Sequence, residues 1–574
     1  MYECPNCAGN LKFDISRQQL YCEYCHTQLD PYCVSREKDA QETDSPSGEY
    51  EVTVFTCPQC GGQIISEDTT AATFCSFCGG SVILDSRISR ERRPVKIIPF
   101  TKTKEDCRAA YGRMLRRAVF APKALKDEAL IEKFRGIYMP YWVYSLEKKG
   151  EISFTGKVTG RSGDYQTTDH YQLSCEVEEN YQGLAFDASS AFSDSLSNAI
   201  GPFDLREGKE FAPSFLCGFY GDTSDVGKEV YHSDAEEFVI QDAGCILAKD
   251  PVCKKYHAGQ EEDRNAFRNA LRPSDSTAEL AMLPVWFLAY QNGSRVSYAV
   301  VNGQTGKAAA DLPVDGKRYL AGSFLLALPL FFLLNLKLTL TPGKILLIAA
   351  LLAFLCILIS NGQLNRMIAR DLGEDDKGLE SVRVLGSGRG KGDIGGKGKK
   401  EPWKPWEDDR VKVILMVVSV TILMMVFWNG IEVISAFSIN WIEALNAKGL
   451  NLVKVLDLGL HFLPLLIVTI SFVFSALKER FGRKNFQENQ EKSFWGGHFE
   501  RKWTILIKPF GGIVLAAVIW ALHPVSDEYY YIGAFVCIGT VLWNILEIIK
   551  QHNMLATRKL PQLGIRGGDE DGKG

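Results

Sequence analysis

Two sets of paired cysteines constrain the N-terminal part of this chain more than any other feature. Each set reads CxxC, fourteen residues, CxxC, and the members are Cys4, Cys7, Cys22 and Cys25, then Cys57, Cys60, Cys75 and Cys78. Alignment of the two sets at an offset of 53 residues also superposes Pro5 on Pro58 and Gly9 on Gly62. The chain therefore begins with an internal duplication of one small unit.

The spacing of the cysteines predicts two metal sites. A CxxC turn brings two thiolates to one ion, and two such turns complete the closed Cys₄ set of a structural zinc site. We therefore expect two zinc ribbons, each holding one Zn²⁺ through its four cysteines. A redox dithiol is the alternative, and the presence of two pairs in each unit disfavours it. Gly61 and Gly79 directly follow ligands, whereas Ala8 and His26 stand at such places in the first unit.

The charge around the cysteines argues against binding of nucleic acid. Residues 1–34 hold Lys12 and Arg17 against four acidic residues, and residues 57–84 hold no Lys or Arg. Such surfaces cannot neutralise a series of phosphates. The remaining basic residues lie at 87–93 and in a predicted basic helix at 103–120, where contact with solvent or anionic lipid is favoured. Nucleic acid is therefore an unlikely partner.

Residues 95–315 contain a second duplication and read as a mixed α and β domain. The stretches IYMPYWVY and LPVWFLAY align at an offset of 144 residues, with Pro140 on Pro284 and Trp142 on Trp286. Each is rich in aromatic and β-branched residues and predicts a hairpin, one turning at Lys149–Gly150 and the other at Asn292–Gly293. The two hairpins are expected to belong to one sheet or to two related subdomains. Helices are predicted at 103–120 and 233–249.

The second half of the chain is crowded with apolar runs. About 20 apolar residues in a helix span the hydrocarbon core of a bilayer, so we count six spans, of which the second is the shortest. The runs are 319–336, 345–360, 411–428, 455–477, 505–522 and 530–549. The Gly-rich segments at 386–400 and at the C-terminus carry too few apolar residues for a core and predict flexible tethers.

Two independent patterns place the N-terminus in the cytosol. The first residues lack a secretory n-region and h-region, which predicts reduced cysteines. With six spans, the loops on the N-terminal side hold 11, 7 and 5 Lys and Arg, and those on the opposite side hold 2, 1 and 0. This imbalance agrees with the positive-inside rule. Both termini of a multi-pass cell-membrane protein are therefore expected to be cytosolic.

One polar pair falls within the predicted spans. Asp457 and His461 stand four residues apart, on the outer turn of the fourth run. Ionisable residues inside a span suggest a functional site, but a pair so close to the interface is more simply explained as hydrated. The pair is a candidate for ion or proton handling in a transporter-like protein. No Walker loop, GxSxG or HExxH motif with a supporting context occurs, so no catalytic residue is predicted.

Together these features predict a multidomain protein. It would comprise two small β zinc ribbons, an α+β cytosolic domain with duplicated hairpins, and an α-helical polytopic membrane region of about six spans. The segments are ribbon 1 at 1–34, a linker at 35–54, ribbon 2 at 55–85, the α+β domain at 95–315, a transmembrane hairpin at 319–361, a flexible linker at 362–410, four transmembrane helices at 411–549 and a tail at 550–574.

The motifs CPNC…CEYC, CPQCGG…TAATFCSFCGG, IYMPYWVY, LPVWFL and VNGQTGKAAADLPVD resemble a family of bacterial transcription-factor-B-type zinc-ribbon-containing membrane proteins. The resemblance covers residues 1 to about 335. It implies cytosolic ribbons and a β-rich domain followed by transmembrane helices, and it implies no activity. The leading hypothesis is a non-enzymatic membrane protein whose zinc-stabilised cytosolic domain binds a protein partner. The alternatives are a membrane-tethered nucleic-acid-binding protein and a regulated transporter-like protein.

Overall fold

The fold is taken from a computed structural model of the chain. The described residues are 2–34, 48–58, 62–66, 75, 77–78, 85–126, 133–162, 165–257, 268–292, 295–335, 341–372, 376–386, 496–522 and 524–557. The chain divides into two compact units. The sheet unit comprises Met1–Pro313, Leu372–Gly395 and Ala556–Gly574, and the helical unit comprises Val314–Asp371 and Gly396–Leu555. The finer segment boundaries given by composition remain a prediction.

The sheet unit contains all fourteen described strands. They are β1 (Leu11–Asp14), β2 (Gln19–Cys22), β3 (Gln28–Leu29), β4 (Glu49–Thr56), β5 (Gln63–Ile65), β6 (Asp85–Arg92), β7 (Lys96–Ile97), β8 (Arg135–Ser162), β9 (Tyr165–Asp187), β10 (Lys209–Glu210), β11 (Tyr220–Gly221), β12 (Asp275–Asn292), β13 (Arg295–Asn302) and β14 (Ala308–Ala310).

The described residues also form nine α-helices and three short 3₁₀ helices; the α-helices alone are numbered here. They are α1 (Lys104–Arg117), α2 (Asp194–Ile200), α3 (His232–Leu247), α4 (Pro251–Lys255), α5 (Gly316–Asn335), α6 (Pro342–Leu372), α7 (Lys377–Gly386), α8 (Gly496–Leu522) and α9 (Glu528–Ala556). Helix α1 confirms the helix predicted from periodicity, and α3 confirms the helix predicted from a capping-box pattern at Ser233, although the N-cap of α3 is Tyr231 and makes no side-chain capping bond.

The first cysteine unit forms a small antiparallel sheet of its own, β1–β2–β3. Its residues alternate between core and solvent, so that Leu11, Phe13 and Leu20 are buried. This apolar face packs on the rest of the sheet unit, where the Phe13 ring lies 5.4 Å from the ring of Phe215. The backbone N–H of Phe13 also donates to the carbonyl of Cys217. The first ribbon is thus docked on the sheet unit.

The second cysteine unit differs from its prediction. Its strands β4 and β5, together with β6, belong to an eleven-stranded sheet that runs β10–β7–β12–β8–β11–β5–β4–β6, with β9, β13 and β14 attached to β8, β12 and β13. The connection is made by β11, which pairs with β5 on one side and with β8 on the other. A separate second ribbon is therefore wrong for this chain. A strand exposing unpaired backbone groups gains by joining a neighbouring sheet.

The duplicated Pro-x-Trp stretches pair with each other at the centre of that sheet. Strands β8 and β12 are antiparallel, with Pro140 opposite Met282 and Pro284 opposite Tyr138, so a local two-fold relates the copies. Each indole N–H donates to a backbone carbonyl, Trp142 to Val226 at 2.8 Å and Trp286 to Lys102 at 2.9 Å. The two copies are therefore neighbours in one sheet.

Only one of the two hairpins turns at the glycine predicted from the sequence. Strand β8 continues through Gly150, which pairs with Val177, and the hairpin closes only where Ser162 pairs with Tyr165. The predicted turn at Lys149–Gly150 is wrong, because Ile152 and Phe154 extend the strand by packing under α3 and α4. The second hairpin closes where Asn292 pairs with Arg295, as its Asn-Gly dipeptide predicts.

The membrane region predicted from apolar runs is also wrong in its extent. Among the described residues, two helices are long and apolar enough to cross a membrane, Pro342–Arg370 and Glu528–Ala556, and not about six. Run 319–336 lies on α5, whose first turn carries Lys317 and Arg318. Run 505–522 lies on α8, whose apolar part, Ile505–Trp520, is short. Runs 411–428 and 455–477 lie outside the described residues.

The shortest predicted span, 345–360, lies on α6, which is one of the two helices long and apolar enough to cross a membrane. Run 345–360 is only the middle of α6, a helix of 31 residues. The length of an apolar run in the sequence therefore does not give the length of the helix that carries it. A helix is a candidate span only when both its length and its apolar composition suffice.

Gly303 tests the packing at the centre of the large sheet. A Cβ at this position would lie 2.6 Å from ring carbons of Phe100 and 2.8 Å from Pro284. Because Phe100 is fully buried against Tyr138 and Trp286, Gly303→Ala is expected to lower the free energy of unfolding by about 1–3 kcal/mol. The measurement is denaturant unfolding of the purified protein, followed by tryptophan fluorescence.

Gly112→Ala is the matched control. Gly112 lies inside α1, and its Cβ would meet open space. The substitution is expected to raise the stability by up to about 1 kcal/mol, because alanine restricts the unfolded chain and favours a helix. Equal effects of the two substitutions would contradict the packing described for Gly303.

Candidate metal centres

The first cysteine group is built from two turns with the same backbone pattern. In one, the N–H of Cys4 donates to the carbonyl of Gly9 and the N–H of Ala8 donates to the carbonyl of Cys4. In the other, the N–H of Cys22 donates to the carbonyl of Thr27 and the N–H of His26 donates to the carbonyl of Cys22. The first turn precedes β1 and the second follows β2, and because Leu11 pairs with Cys22 the two turns lie at the same end of this strand pair. The CxxC spacing thus produces one turn geometry twice.

The four thiols of this group converge. The sulfur atoms of Cys4 and Cys25 lie 3.4 Å apart, as do those of Cys7 and Cys22, and all four lie within 4.8 Å of one another. A metal ion held by four thiolates keeps the sulfurs roughly 3.5–4 Å apart. The residues therefore fit a tetrahedral metal ion.

Two residues next to the ligands adopt a left-handed backbone conformation. Ala8 has a φ of 57° and His26 has a φ of 60°, where glycine would be unstrained. The imidazole of His26 hydrogen-bonds the hydroxyl of Tyr21, so it is directed to Tyr21 and not to the thiols. The turns are held in this conformation by the backbone bonds and by the requirement that both cysteines face one point.

Without a bound cation the thiols hold their protons unequally. The side chain and backbone of Thr27 hydrogen-bond the Cys25 sulfur and lower the pKa of this thiol to about 6. The Gly9 N–H lowers the pKa of Cys7, but the sulfurs of Cys25 and Cys22 and desolvation outweigh it and raise that pKa to about 12. Neighbouring thiolates repel one another, and a metal ion removes this repulsion. Metal binding at this group must therefore release protons.

The second group is more deeply placed. Cys57, Cys75 and Cys78 are all buried, and their three sulfurs lie within 4.8 Å of one another. The N–H of Cys57 donates to the carbonyl of Gly62, which repeats the bond between Cys4 and Gly9 in the first group. Phe77 packs between the ligands and the core, with its ring 5.7 Å from that of Phe287. This group is therefore part of the core of the large sheet.

The structure brings together seven of the eight predicted metal ligands. Cys4, Cys7, Cys22 and Cys25 form one group, and Cys57, Cys75 and Cys78 form the other. Cys60 lies outside the described residues, as do Asp457 and His461 of the predicted intramembrane polar pair. Two cysteine groups able to bind metal ions are thus present.

One cluster of ionisable residues has no counterpart in the sequence predictions. Asp187, Asp194 and Asp376 are 3%, 8% and 3% exposed. Aspartate is mostly a surface residue, and the three are far apart in the chain, so no spacing rule joins them. The one available signal depends on strand pairing, because Asp187 occupies the position in its hairpin that Asn302 occupies in the other.

The chain is similar to the uncharacterized protein YdjG of Bacillus subtilis (strain 168). The two are 26% identical over 344 residues, which cover 58% of this chain and 97% of YdjG. No protein-family model matches the chain. No solved structure matches it either.

The different burial of the two groups predicts two rates of metal release. Cys7 and Cys25 of the first group are exposed, whereas the described cysteines of the second group are buried. A chelator is therefore expected to remove metal in a fast phase and a slow phase of similar size, and Cys7→Ser should abolish the fast phase. The measurement is absorbance of a coloured chelator mixed with the metal-loaded protein.

Cys33→Ser provides the matched control. Cys33 is exposed and belongs to neither group. Its substitution should leave both phases intact. A single phase in the wild type, or a fast phase that survives in Cys7→Ser, would contradict the assignment.

Proposed function

We propose that this protein is a non-enzymatic integral membrane protein whose zinc-stabilised cytosolic sheet unit recognises a protein partner. The observation that carries the proposal is the placement of the metal groups. One lies at the edge of a small sheet that docks through Phe13 on Phe215, and the other lies in the core near Phe287. Metal ions in such places stabilise a fold and leave the outer surface for recognition.

Zinc is the metal that the donor atoms favour. Thiolates are soft ligands, and a closed tetrahedron of four sulfurs is typical of structural Zn²⁺. Cys7 is exposed and Cys4 is buried in the first group, so the ion would lie at the edge of the ribbon and not in an open catalytic position. We expect the metal released by the chelator to be zinc, at about two ions per chain.

The charged residues of the sheet unit argue for a protein partner over a nucleic acid. The amine of Lys12 contacts the carboxylate of Glu23 at 2.9 Å, and Arg17 lies 3.7 Å from Asp14. On β6, Arg90 contacts Glu51 at 3.2 Å. Basic side chains already paired with carboxylates contribute little to phosphate binding, which depends on unneutralised charge. Arginines on an edge strand also have a structural explanation, since they discourage pairing with other chains.

Aromatic side chains on the outer surface offer contacts of the kind that protein interfaces use. Tyr24, between two ligands of the first group, is 77% exposed. Tyr165 begins β9 at the far end of the long β8–β9 hairpin and is 79% exposed. Tyrosine is enriched at protein interfaces because its ring is apolar and its hydroxyl is polar. We therefore assign partner contacts to these two regions.

The membrane anchor in this proposal is the helical unit with its two candidate spans. Residues up to Pro313, from Leu372 and from Ala556 all belong to the sheet unit. The proposal therefore requires these pieces to share one compartment, with an even number of membrane crossings between each piece and the next. Thiols that hold zinc persist in a reducing compartment, which favours the cytosol. The protein would then be a multi-pass protein of the cell membrane with both termini cytosolic. The resemblance to zinc-ribbon-containing membrane proteins supports the same arrangement.

The orientation can be tested with a thiol reagent that cannot cross membranes. Cys33 and Cys245 are exposed in the sheet unit. A membrane-impermeant maleimide is expected to label them in inside-out vesicles and not in right-side-out vesicles. The double variant Cys33→Ser/Cys245→Ser should lose this labelling and serves as the control. Equal labelling in both vesicle types would contradict the cytosolic orientation.

Partner recognition can be tested with photo-crosslinking residues in the living cell. A photo-crosslinker at Tyr24 or Tyr165 is expected to give a discrete protein adduct. Val119, 70% exposed on the segment after α1, is the matched control position and should give none. In parallel, the purified protein is expected to bind DNA and RNA weakly at low salt. Tight binding with a steep salt dependence, together with a lack of protein adducts, would replace this proposal by nucleic-acid recognition.

A further inference from the structure

Helix α7 is held against the rest of the sheet unit by a set of buried polar contacts. Asp376 caps the helix, because its carboxylate accepts from the N–H of Leu379 at 2.9 Å. The backbone N–H of Lys377 donates to Asp194 at 2.9 Å. Leu379 is 1% exposed and fixes the first turn by burial. Helix α6, a candidate span, ends at Leu372. The segment held by these contacts begins four residues later, at Asp376.

A buried carboxyl pair lies beneath this helix. Asp187 at the end of β9 comes within hydrogen-bonding reach of the Asp194 carboxyl group. Its Oδ1 atom is buried, and no hydrogen-bond donor of the described chain reaches it. Two buried carboxylates so close together cannot both be ionised without a large cost. The pair therefore needs a proton.

The hydrogen bonds show which carboxyl group carries that proton. Both oxygens of Asp194 accept bonds, one from the hydroxyl of Tyr231 at 2.6 Å and the other from the N–H of Lys377. Donors favour the ionised form of a carboxyl group. Burial, followed by the charges of Asp194 and Asp376, raises the pKa of Asp187 well above its ordinary value. Asp187 is consequently the protonated member.

The internal repeat provides an independent argument. Asp187 pairs with Tyr141, and Asn302 pairs with Val285, so the two residues occupy equivalent positions in the duplicated hairpins. The next backbone N–H is bonded in the same way in each copy, from Ala188 to Pro140 and from Gly303 to Pro284, both at 2.8 Å. Asn302 is fully buried and neutral. The same backbone thus accommodates a neutral side chain, and Asp187 matches it when protonated.

We propose that the Asp187–Asp194 pair is a buried proton site that controls the attachment of α7 to the sheet unit. With the proton bound, the pair carries one negative charge, which Tyr231 and Lys377 satisfy. When the proton leaves to water, two adjacent carboxylates face Asp376 and repel it, and α7 is released. Release would free the segment that directly follows a candidate membrane span. The proposal does not depend on zinc or on a partner.

Among the described residues named here, no group provides the pair with a positive charge that could replace the proton. The Ser197 hydroxyl lies near Asp187 and donates to the phenol oxygen of Tyr141 at 2.9 Å. The side-chain amine of Lys377 is directed away to Asp234, at 2.6 Å from its Oδ1 atom. Asp194 within the pair and Asp376 beside it both place negative charge near Asp187. The charge balance at the pair thus depends on the proton.

The sign of the pH dependence follows from proton linkage. The attached state raises the pKa of Asp187, so it binds the proton more strongly than the released state. Attachment is therefore complete below the ordinary pKa of aspartate and weakens as the pH rises toward the raised pKa in the attached state. For one proton, the attachment constant falls by at most about tenfold per pH unit.

The test is hydrogen exchange of the full-length protein in detergent, followed by mass spectrometry of the peptide that contains 376–386. Protection is corrected for the pH dependence of intrinsic exchange. In the wild type it is expected to fall as the pH rises above the ordinary pKa of aspartate, with a slope of up to about tenfold per unit. In Asp187→Asn it should stay high and constant, because asparagine mimics the protonated acid.

Asp234→Asn is the matched control, since it removes the exposed contact to the Lys377 amine and leaves the pair intact. It should lower protection at every pH without changing the slope. A wild type without slope, or the same slope in Asp187→Asn, would overturn the proposal.

Infrared spectroscopy decides the question without any variant. The carbonyl stretch of a protonated carboxylic acid is distinct from that of a carboxylate, and the wild type should show it at neutral pH. The band should persist while the protection of 376–386 falls, because the attached state still holds the proton, and it should disappear at the upper end of that pH range. Absence of the band where protection falls, or its persistence above that range, refutes the proposal even if Asp187→Asn does not fold.

Discussion

The antiparallel pairing of β8 with β12 is the interaction on which the rest of the sheet unit depends. It joins the two copies of the Pro-x-Trp stretch around a local two-fold, and each copy then adds its own second strand, β9 or β13. The aromatic rings of Phe100, Tyr138 and Trp286 pack at this junction. Fully buried aromatic side chains make large contributions to folding free energy, and here they depend on the register of two strands.

The two cysteine groups differ in how they relate to this core. The sheet β1–β2–β3 has only ten residues in strands, too few to bury a core of its own; it docks on Phe215 and carries a cysteine group able to bind a metal ion. The second group belongs to the large sheet, where Cys57 is fully buried. One duplicated sequence therefore serves two environments, and the difference arises from what each copy packs against.

The duplicated hairpins have diverged in the same way. Where one copy places the neutral Asn302, the other places Asp187 next to Asp194 and the helix that follows a candidate span. A carboxyl group and an amide have almost the same shape, so the fold tolerates either. Only the carboxyl group can exchange a proton, and its position under α7 connects that exchange to the attachment of a chain segment.

The sequence by itself determined features that depend on local chemistry. Cysteine spacing set the turns of the cysteine groups, helical periodicity indicated α1, and a capping-box pattern indicated α3. Repeat alignment showed the Pro-x-Trp duplication, and Asn292–Gly293 marked a hairpin. Tertiary structure alone decided that β4 and β5 join the large sheet, that β8 continues through Gly150, that α6 and α9 are the described helices able to span, and that Asp187 meets Asp194. These features depend on contacts between residues distant in the chain, whose free energy appears only when both partners are buried together, and no local pattern records it.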